Sequence, residues 1–585
     1  MKRTSARSKS ARPVKINPKL KSIFAPTFVA RPPTDAYIGL AMLEDGEIRH
    51  YNYGEQLGSG GTWYIYSRDG GITWKRKSAP KGASRAELTA RADTRDPVSG
   101  EYIRLAGGRH LGRGAGTYVI RSSGGHRGKW TVRQARPERL GMIKPPIFIR
   151  GGKRIICPTQ ITTHPSIWHI VMAYSDDCGR TWKLSKKFTI PKPRNWKLHA
   201  RWNHGPAEPT VVELNDGRLW CLMRTGRDNF YEAFSTDGGV SWSRPRPSRF
   251  YACVTMPTIG RLSDGRILFS WCNTTPLPCL PRSEVTRILM GNSRNFGVNT
   301  DMFTNRDACH LAISEDDGRT WTGFRELFLD QRRNASDYAM TGGIDRGMHQ
   351  SQFVELGAGK MLISFGQHWM HRSMAVFDLD WLYEKSRSCD FANGLDDWSV
   401  QTYYVRVQGH RALNRKEGAT LISHPTRRGR KAMKIARPGD PEVINETQGA
   451  TWNFPAGKSG SFTTGVMVRK GCQGFRIGLL DRWFPPTDIT AHSRSMFSLA
   501  VGPSGKLGPH RRLIPGRWYE LRFEWDGLSN RAKHRCRLLV NGKLAKRLPL
   551  LCPSRDGISY VHFISTAKTE DTQGFLVESV NAEAG

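Results

Sequence analysis

Short runs of alternating apolar and polar residues recur along the first two-thirds of the chain, in pairs joined by two residues suited to a tight reversal. Such junctions fall at Asp45-Gly46, Ser99-Gly100, Gly151-Gly152, Asp216-Gly217, Asp264-Gly265 and Ala358-Gly359. Period-two alternation turns one face of a strand toward a core, and a small or Gly-containing pair between two such runs reads as a β-hairpin. Six hairpins are predicted.

A second pattern is interleaved with the first. The octapeptide S-x-D-x-G-x-T-W occupies residues 67–74, 175–182 and 314–321, and a fourth copy at 235–242 has Ser for Thr. A degenerate version spans residues 122–130, and the sixth hairpin is followed by an apolar strand, residues 374–377, without a box. Repetition at such intervals marks units that bury their apolar faces only against one another. Within each octapeptide the Asp carboxylate can accept turn amides, Gly supplies unusual backbone angles, and Trp packs into the sheet. Six hairpin-plus-turn units of four strands predict an all-β fold, a six-bladed β-propeller, whose last blade is completed by a strand near residues 24–29. The repeats resemble the Asp-box, or BNR-repeat, proteins, of which the sialidases (neuraminidases) are the best known.

The periodicity stops near residues 383–388. Beyond it stand Phe391-Ala392-Asn393-Gly394-Leu395, Pro515-Gly516-Arg517-Trp518-Tyr519 and Val540-Asn541-Gly542-Lys543-Leu544. These look like motifs of a concanavalin/laminin-G type β-sandwich (jelly-roll), which either binds glycans or packs against its neighbour. The expected organisation is a disordered basic arm at residues 1–21, a propeller at 22–388 and a sandwich at 389–585. One long insertion, residues 273–301, interrupts the fifth unit and reads as a functional rim.

Composition narrows the chemistry. With 585 residues, 38% hydrophobic, 18 Trp and 24 Phe, there is apolar material for at least two cores. No apolar run approaches the ~18 residues of a membrane span, so no membrane partner is expected. The basic N-terminus lacks the apolar segment of a secretory signal, and eleven Cys lie scattered without C-x-x-C pairs; both point to a cytoplasmic location with reduced thiols. A formal charge of +39 attracts polyanions, but it is spread over both halves without a nucleic-acid-binding motif, so specific nucleic-acid binding is not expected. The expected partner is an acidic oligosaccharide or polysaccharide. No metal-ligand spacing, P-loop or dinucleotide fingerprint is present, so no metal or cofactor is expected.

In a propeller, residues just before each inner strand converge on the channel, here Arg31, Arg91, Lys144, Glu208, Met256, and His349 with Gln350. One acid among basic and neutral residues is an anion-binding composition. The segment from His204 through Glu208 to Arg224 is similar to one in sialidases, where a glutamate precedes the inner strand and an arginine closes the next strand. That resemblance implies that Glu208 polarises the nucleophile and that Arg224 holds the substrate carboxylate. It likewise implies a second clamp arginine at Arg306 and a buttressing carboxylate at Glu55. A buried ion pair between strands is the structural alternative for Glu208 and Arg224. His204, four residues before Glu208, is a further candidate.

The departures from the sialidase pattern are as informative. The first clamp arginine belongs to an Arg-Ile-Pro motif, for which this chain offers only Arg31-Pro32-Pro33. No acidic residue lies in residues 57–61, where the family acid is expected, and the nucleophilic tyrosine falls at Gln350. The loop over residues 338–352 holds possible replacements: Tyr338, Asp345 as a carboxylate partner for Glu208, and His349 as acid or base. Three functions follow as expectations: a sialidase-like exo-glycosidase with a diverged acid and nucleophile, a non-catalytic glycan-binding propeller, or a polysaccharide lyase acting on uronates through Tyr338 or His349.

Overall fold

The computed structural model describes residues 17–33, 39–53, 60–78, 94–123, 125, 128–164, 167–191, 205–274, 306–327, 334, 347–366, 372–403, 415–439 and 447–585. Six antiparallel four-stranded sheets follow one another along the chain. Their innermost strands are Leu40–Met42, Thr94–Arg95, Ile147–Ile149, Ala207–Glu213, Thr258–Arg261 and Gln352–Gly357, and each expected two-residue turn joins one of them to the next strand of its blade. The sixth blade is completed by Thr27–Ala30, which pairs with Ser373–Asp378 in the register Phe28↔Ala375. Its inner strand is tied to the first blade as well: Gln352 Oε1 accepts from the Gly39 and Leu40 amides at 2.7 and 2.8 Å. The ring is thus closed from both sides of its seam.

The basic arm is shorter than expected. Residues 1–16 lie outside the described residues, but Pro18–Ser22 forms a helical turn started by the Asn17 side chain on the Lys19 amide. Leu20 is the reason it is ordered, being 1% exposed and packed with Ile48 and Leu362 of the adjoining blades.

Each Asp-box makes the same hydrogen bonds. In the last of them, Asp316 Oδ1 accepts from the Thr320 amide at 2.8 Å and Oδ2 from the Thr320 hydroxyl at 2.6 Å. Ser314 Oγ donates to Asp316 and accepts from the Gly318 amide, and the Trp321 indole donates to the Gly318 carbonyl at 2.9 Å. Gly318 takes φ +80°, where a side chain is disfavoured. These bonds outweigh burial and hold the box carboxylates below the usual range, that of Asp237 at about 2. The turn serves to aim its tryptophan at the preceding blade. Trp74 lies with Leu362, Trp182 with Ile103, Trp242 with Ile156, and Trp321 with Trp220 at 6.3 Å between rings. Aromatic area buried between blades is what makes separate sheets one ring.

The chain leaves the propeller through Ser386–Cys389, which pairs with the long final strand Asp571–Ala584. Beyond, among the described residues, lie two large antiparallel sheets, of eight and five strands, facing each other across one apolar core, and a two-stranded ribbon of Thr402–Tyr403 with Arg415–Lys416. At Asn541-Gly542 both residues take positive φ, as a two-residue hairpin requires. This sandwich packs on blade five. Tyr560 Oη donates to Glu326 at 2.7 Å and meets His310 Nε2 at 2.6 Å, while Asn453 Oδ1 accepts from the Glu326 amide at 2.8 Å. The start of the long insertion docks there too, since Asn273 Nδ2 donates to the Asp481 carbonyl at 2.9 Å.

Asp316→Ala should destabilise the chain by about 1–3 kcal/mol in denaturant unfolding, through loss of buried turn acceptors and of the seat of Trp321. Tyr560→Phe should cost about 1–2 kcal/mol by the same measurement and leave the separate sheets' circular dichroism unchanged.

Candidate functional site

The arrangement at the channel begins with backbone shape. Blades three to six are each entered through a non-glycine residue in the left-handed region: Met142 at φ +47°, Glu208 at +46°, Val254 at +43° and Gln350 at +62°. Such residues cost energy unless their surroundings impose them, and they gather at functional sites. At Glu208 the cause is visible. The pairing between the first two strands of blade four slips between Ala207 and Thr210, and the Glu208 amide donates at 2.7 Å to Gln160 Oε1 of blade three. Ala207 stands opposite Arg224 in that pairing. The kink therefore brings Glu208 Oε2 to 2.9 Å from Arg224 Nη1.

Neighbouring blades supply the rest. Lys144 of blade three, 8% exposed, places its Nζ against Met256 Sδ of blade five. Arg306, 3% exposed, donates to the Val254 carbonyl and lies 3.2 Å from His349 Nε2. His349 in turn accepts at Nδ1 from the Met256 amide at 3.1 Å. Burial by itself would raise the Glu208 carboxyl. Arg224, Lys144 and Arg306 overcome that and hold it below the ordinary glutamate range. One ionised carboxylate thus sits within the fields of three cations from three blades, in surroundings where charge interactions are far stronger than in water.

Glu208, Arg224, Arg306 and His349, expected from sequence, come together here with Lys144 and Met256. Arg31 does not join them, because it follows the outermost strand of blade six and lies exposed, with its guanidinium 6.0 Å from the Phe28 ring. Glu55, Arg91, His204, Tyr338 and Asp345 lie outside the described residues. Gln350, at the position expected for a nucleophilic tyrosine, is 2% exposed, and among the described residues its Oε1 has no hydrogen-bond partner.

Three buried residues carried no signal in the sequence. Gln160 fixes the Glu208 backbone. Arg372, fully buried at the start of the third strand of blade six, donates at 3.3 Å to Ser364 Oγ. His50 lies 3.0 Å from the same oxygen, and burial together with the Arg372 charge pushes its pKa down to about 3, so it is neutral. Among the described residues no group of three His, Cys, Asp or Glu could hold a metal ion.

Residues 106–355, from the second strand of blade two to the inner strand of blade six, match the family model of the BNR repeat-like domain. That segment of the propeller is a BNR repeat-like domain. Among solved structures the chain is similar to Trypanosoma rangeli sialidase in complex with 2,3-difluorosialic acid, at 12% identity and TM-score 0.35, over 96% of this chain and 91% of that one. It is similar to the intramolecular trans-sialidase of Ruminococcus gnavus in complex with oseltamivir carboxylate, at 13% identity and TM-score 0.34, over 61% and 98%. A protein of unknown function from Dyadobacter fermentans is similar at 18% identity and TM-score 0.37, over 61% and 98%. All three likenesses are distant.

The channel group offers one titration to follow. The Glu208 pKa is lowered on folding, so its stabilisation is fully present above the ordinary glutamate value of 4.5 and is lost as pH falls through the lower folded value. The melting-temperature gap between wild type and Glu208→Gln should be constant from about pH 8 to about pH 6 and narrow below about pH 4.5.

Proposed function

We propose that this chain is a sialidase-like glycoside hydrolase acting on an acidic glycan. The observation that carries the reading is the convergence of Lys144, Arg224 and Arg306 around Glu208 at the start of the inner strands. Guanidinium and ammonium groups held this way suit a sugar carboxylate or sulfate, with arginine adding bidentate geometry. A carboxylate held ionised by these neighbours is no proton donor; its role is to orient and polarise a nucleophile.

Gln350 cannot form the covalent glycosyl intermediate that a tyrosine forms. Its open Oε1 can accept from a water molecule, and Glu208 can polarise that water as it adds to the anomeric carbon. The glycosidic C–O bond breaks, the departing oxygen takes a proton from a general acid, for which Asp345 is the candidate offered by the sequence, and the water's proton passes to solvent through the Glu208 carboxylate. His349, set between Met256 and Arg306, positions the clamp. A single displacement of this kind inverts the anomeric centre. The sandwich supports blade five and, as a further proposal, offers glycan contacts of its own.

The second reading is a glycan-binding propeller without turnover, and Gln350 is the residue that favours it. A panel of sialylated, uronic and sulfated oligosaccharides separates the two. Hydrolysis is expected on at least one anionic member, with proton NMR showing inversion and Glu208→Gln slowing it at least ~100-fold. Lys144→Met should weaken binding of that sugar by roughly tenfold or more and leave a neutral analogue unaffected. Binding without turnover would favour the second reading, and products absorbing in the ultraviolet as unsaturated sugars would point to a lyase.

A further inference from the structure

A cleft of about 840 Å³ runs along the outer flank of blade four, between that blade, the Asp-box of blade five and residues 553–556 of the sandwich. It shares no lining residue with the channel group, and its volume is that of a small-molecule site. Its walls carry five carboxylates and five arginines.

Each carboxylate already has a guanidinium. Asp216 is 2.8 Å from Arg218, Glu232 is 2.9 Å from Arg246, Asp317 is 2.7 Å from Arg261 and Asp481 is 2.6 Å from Arg482. Asp556 pairs with Arg249 across the boundary between propeller and sandwich. Two arginines are left over. Arg319, from the Asp-box, and Arg555, from the sandwich, are exposed on the walls, and among the described residues neither forms an ion pair, although the Arg319 charge also acts on Asp216. The cleft therefore presents two guanidinium groups outside ion pairs, one from each domain, inside a concave surface, because Asp317 and Asp481 are paired with Arg261 and Arg482 behind its walls.

We propose that this cleft is a second binding site, separate from the channel, for an anionic oligosaccharide whose carboxylate or sulfate groups are taken by Arg319 and Arg555. The aromatic side chains decide between a glycan and a nucleic acid. Single-stranded nucleic acid binds by stacking bases on open aromatic faces. Here Phe234 has Arg218 and Arg246 over its ring at 5.6 and 5.7 Å, and Arg482 covers Tyr251 at 3.7 Å. Guanidinium groups stand where a base would stack, and these same groups suit the oxygens of a charged sugar. Since the site spans both domains, its ligand also favours their docked arrangement.

The site does not depend on turnover at the channel, and a chain that hydrolyses nothing can still bind here. The test is calorimetry on the full chain with a heparin-derived sulfated tetrasaccharide, an unsulfated tetrasaccharide and a single-stranded oligonucleotide of matched charge. Arg319→Ala/Arg555→Ala is compared with Lys75→Ala/Lys77→Ala, which removes equal charge from the exposed outer strand of blade one. The expected result is binding of the sulfated sugar that falls about tenfold or more in the arginine double variant and less than about twofold in the lysine variant. Hydrogen exchange should show protection at residues 316–319 and 553–556 when the sugar is bound. Equal losses in both variants, no loss in the arginine variant, protection elsewhere, or tighter binding of the oligonucleotide would each overturn the proposal.

Discussion

Six small sheets cannot stand alone; what makes them one body is apolar area buried between each blade and the one before it. The Asp-box tryptophans carry much of this contact, and their seats depend on a carboxylate, a hydroxyl and a left-handed glycine in each turn. Closure at the seam, by Thr27–Ala30 on one side and Gln352 on the other, then fixes the angle of every blade about the axis. Only a closed ring can hold side chains of blades three, four and five against one another, because an open stack would let the last blade swing away from the first.

Much of this was legible in the chain itself. The hairpin turns and the octapeptides are local, and local turn chemistry survives into the fold. The placing of Glu208 before the inner strand and of Arg224 at the close of the next was informative because a hairpin of fixed length sets which residues stand opposite, and the pairing of Ala207 with Arg224 is the outcome. Lys144 and Met256 were found by the same counting from their hairpins. Arg31 was misplaced because an Arg-Pro-Pro sequence does not say whether it leads into an inner strand or follows an outer one. The final residues of the basic arm were misread because one leucine, Leu20, orders them through contacts remote in sequence.

Other features had no local signal. Gln160 is an ordinary strand residue until the next blade's backbone kinks toward it. The left-handed residues Met142, Val254 and Gln350 are of types that rarely take that shape, and nothing in their own segments announces it. Arg372 and His50 meet over Ser364 from different blades, so nothing in either segment announces the other. Turn geometry can be read from a segment; geometry that depends on two segments meeting cannot.

The sandwich bears on the channel through one strand. Arg306 enters the third strand of blade five four residues before His310, and His310 is held by the sandwich tyrosine, Tyr560, and by the Asn273 amide. Asn273 leads into the long insertion and is itself tied to the sandwich at Asp481. The segment leading into that strand is thereby anchored to the sandwich at His310 and to the ring, through His349 and Val254, at Arg306. A guanidinium held from two sides keeps its direction at less entropic cost than one held by its own blade alone. The second domain also meets blade four, through Arg249 and Asp556, but its attachment to blade five places that support beside an arginine of the channel group.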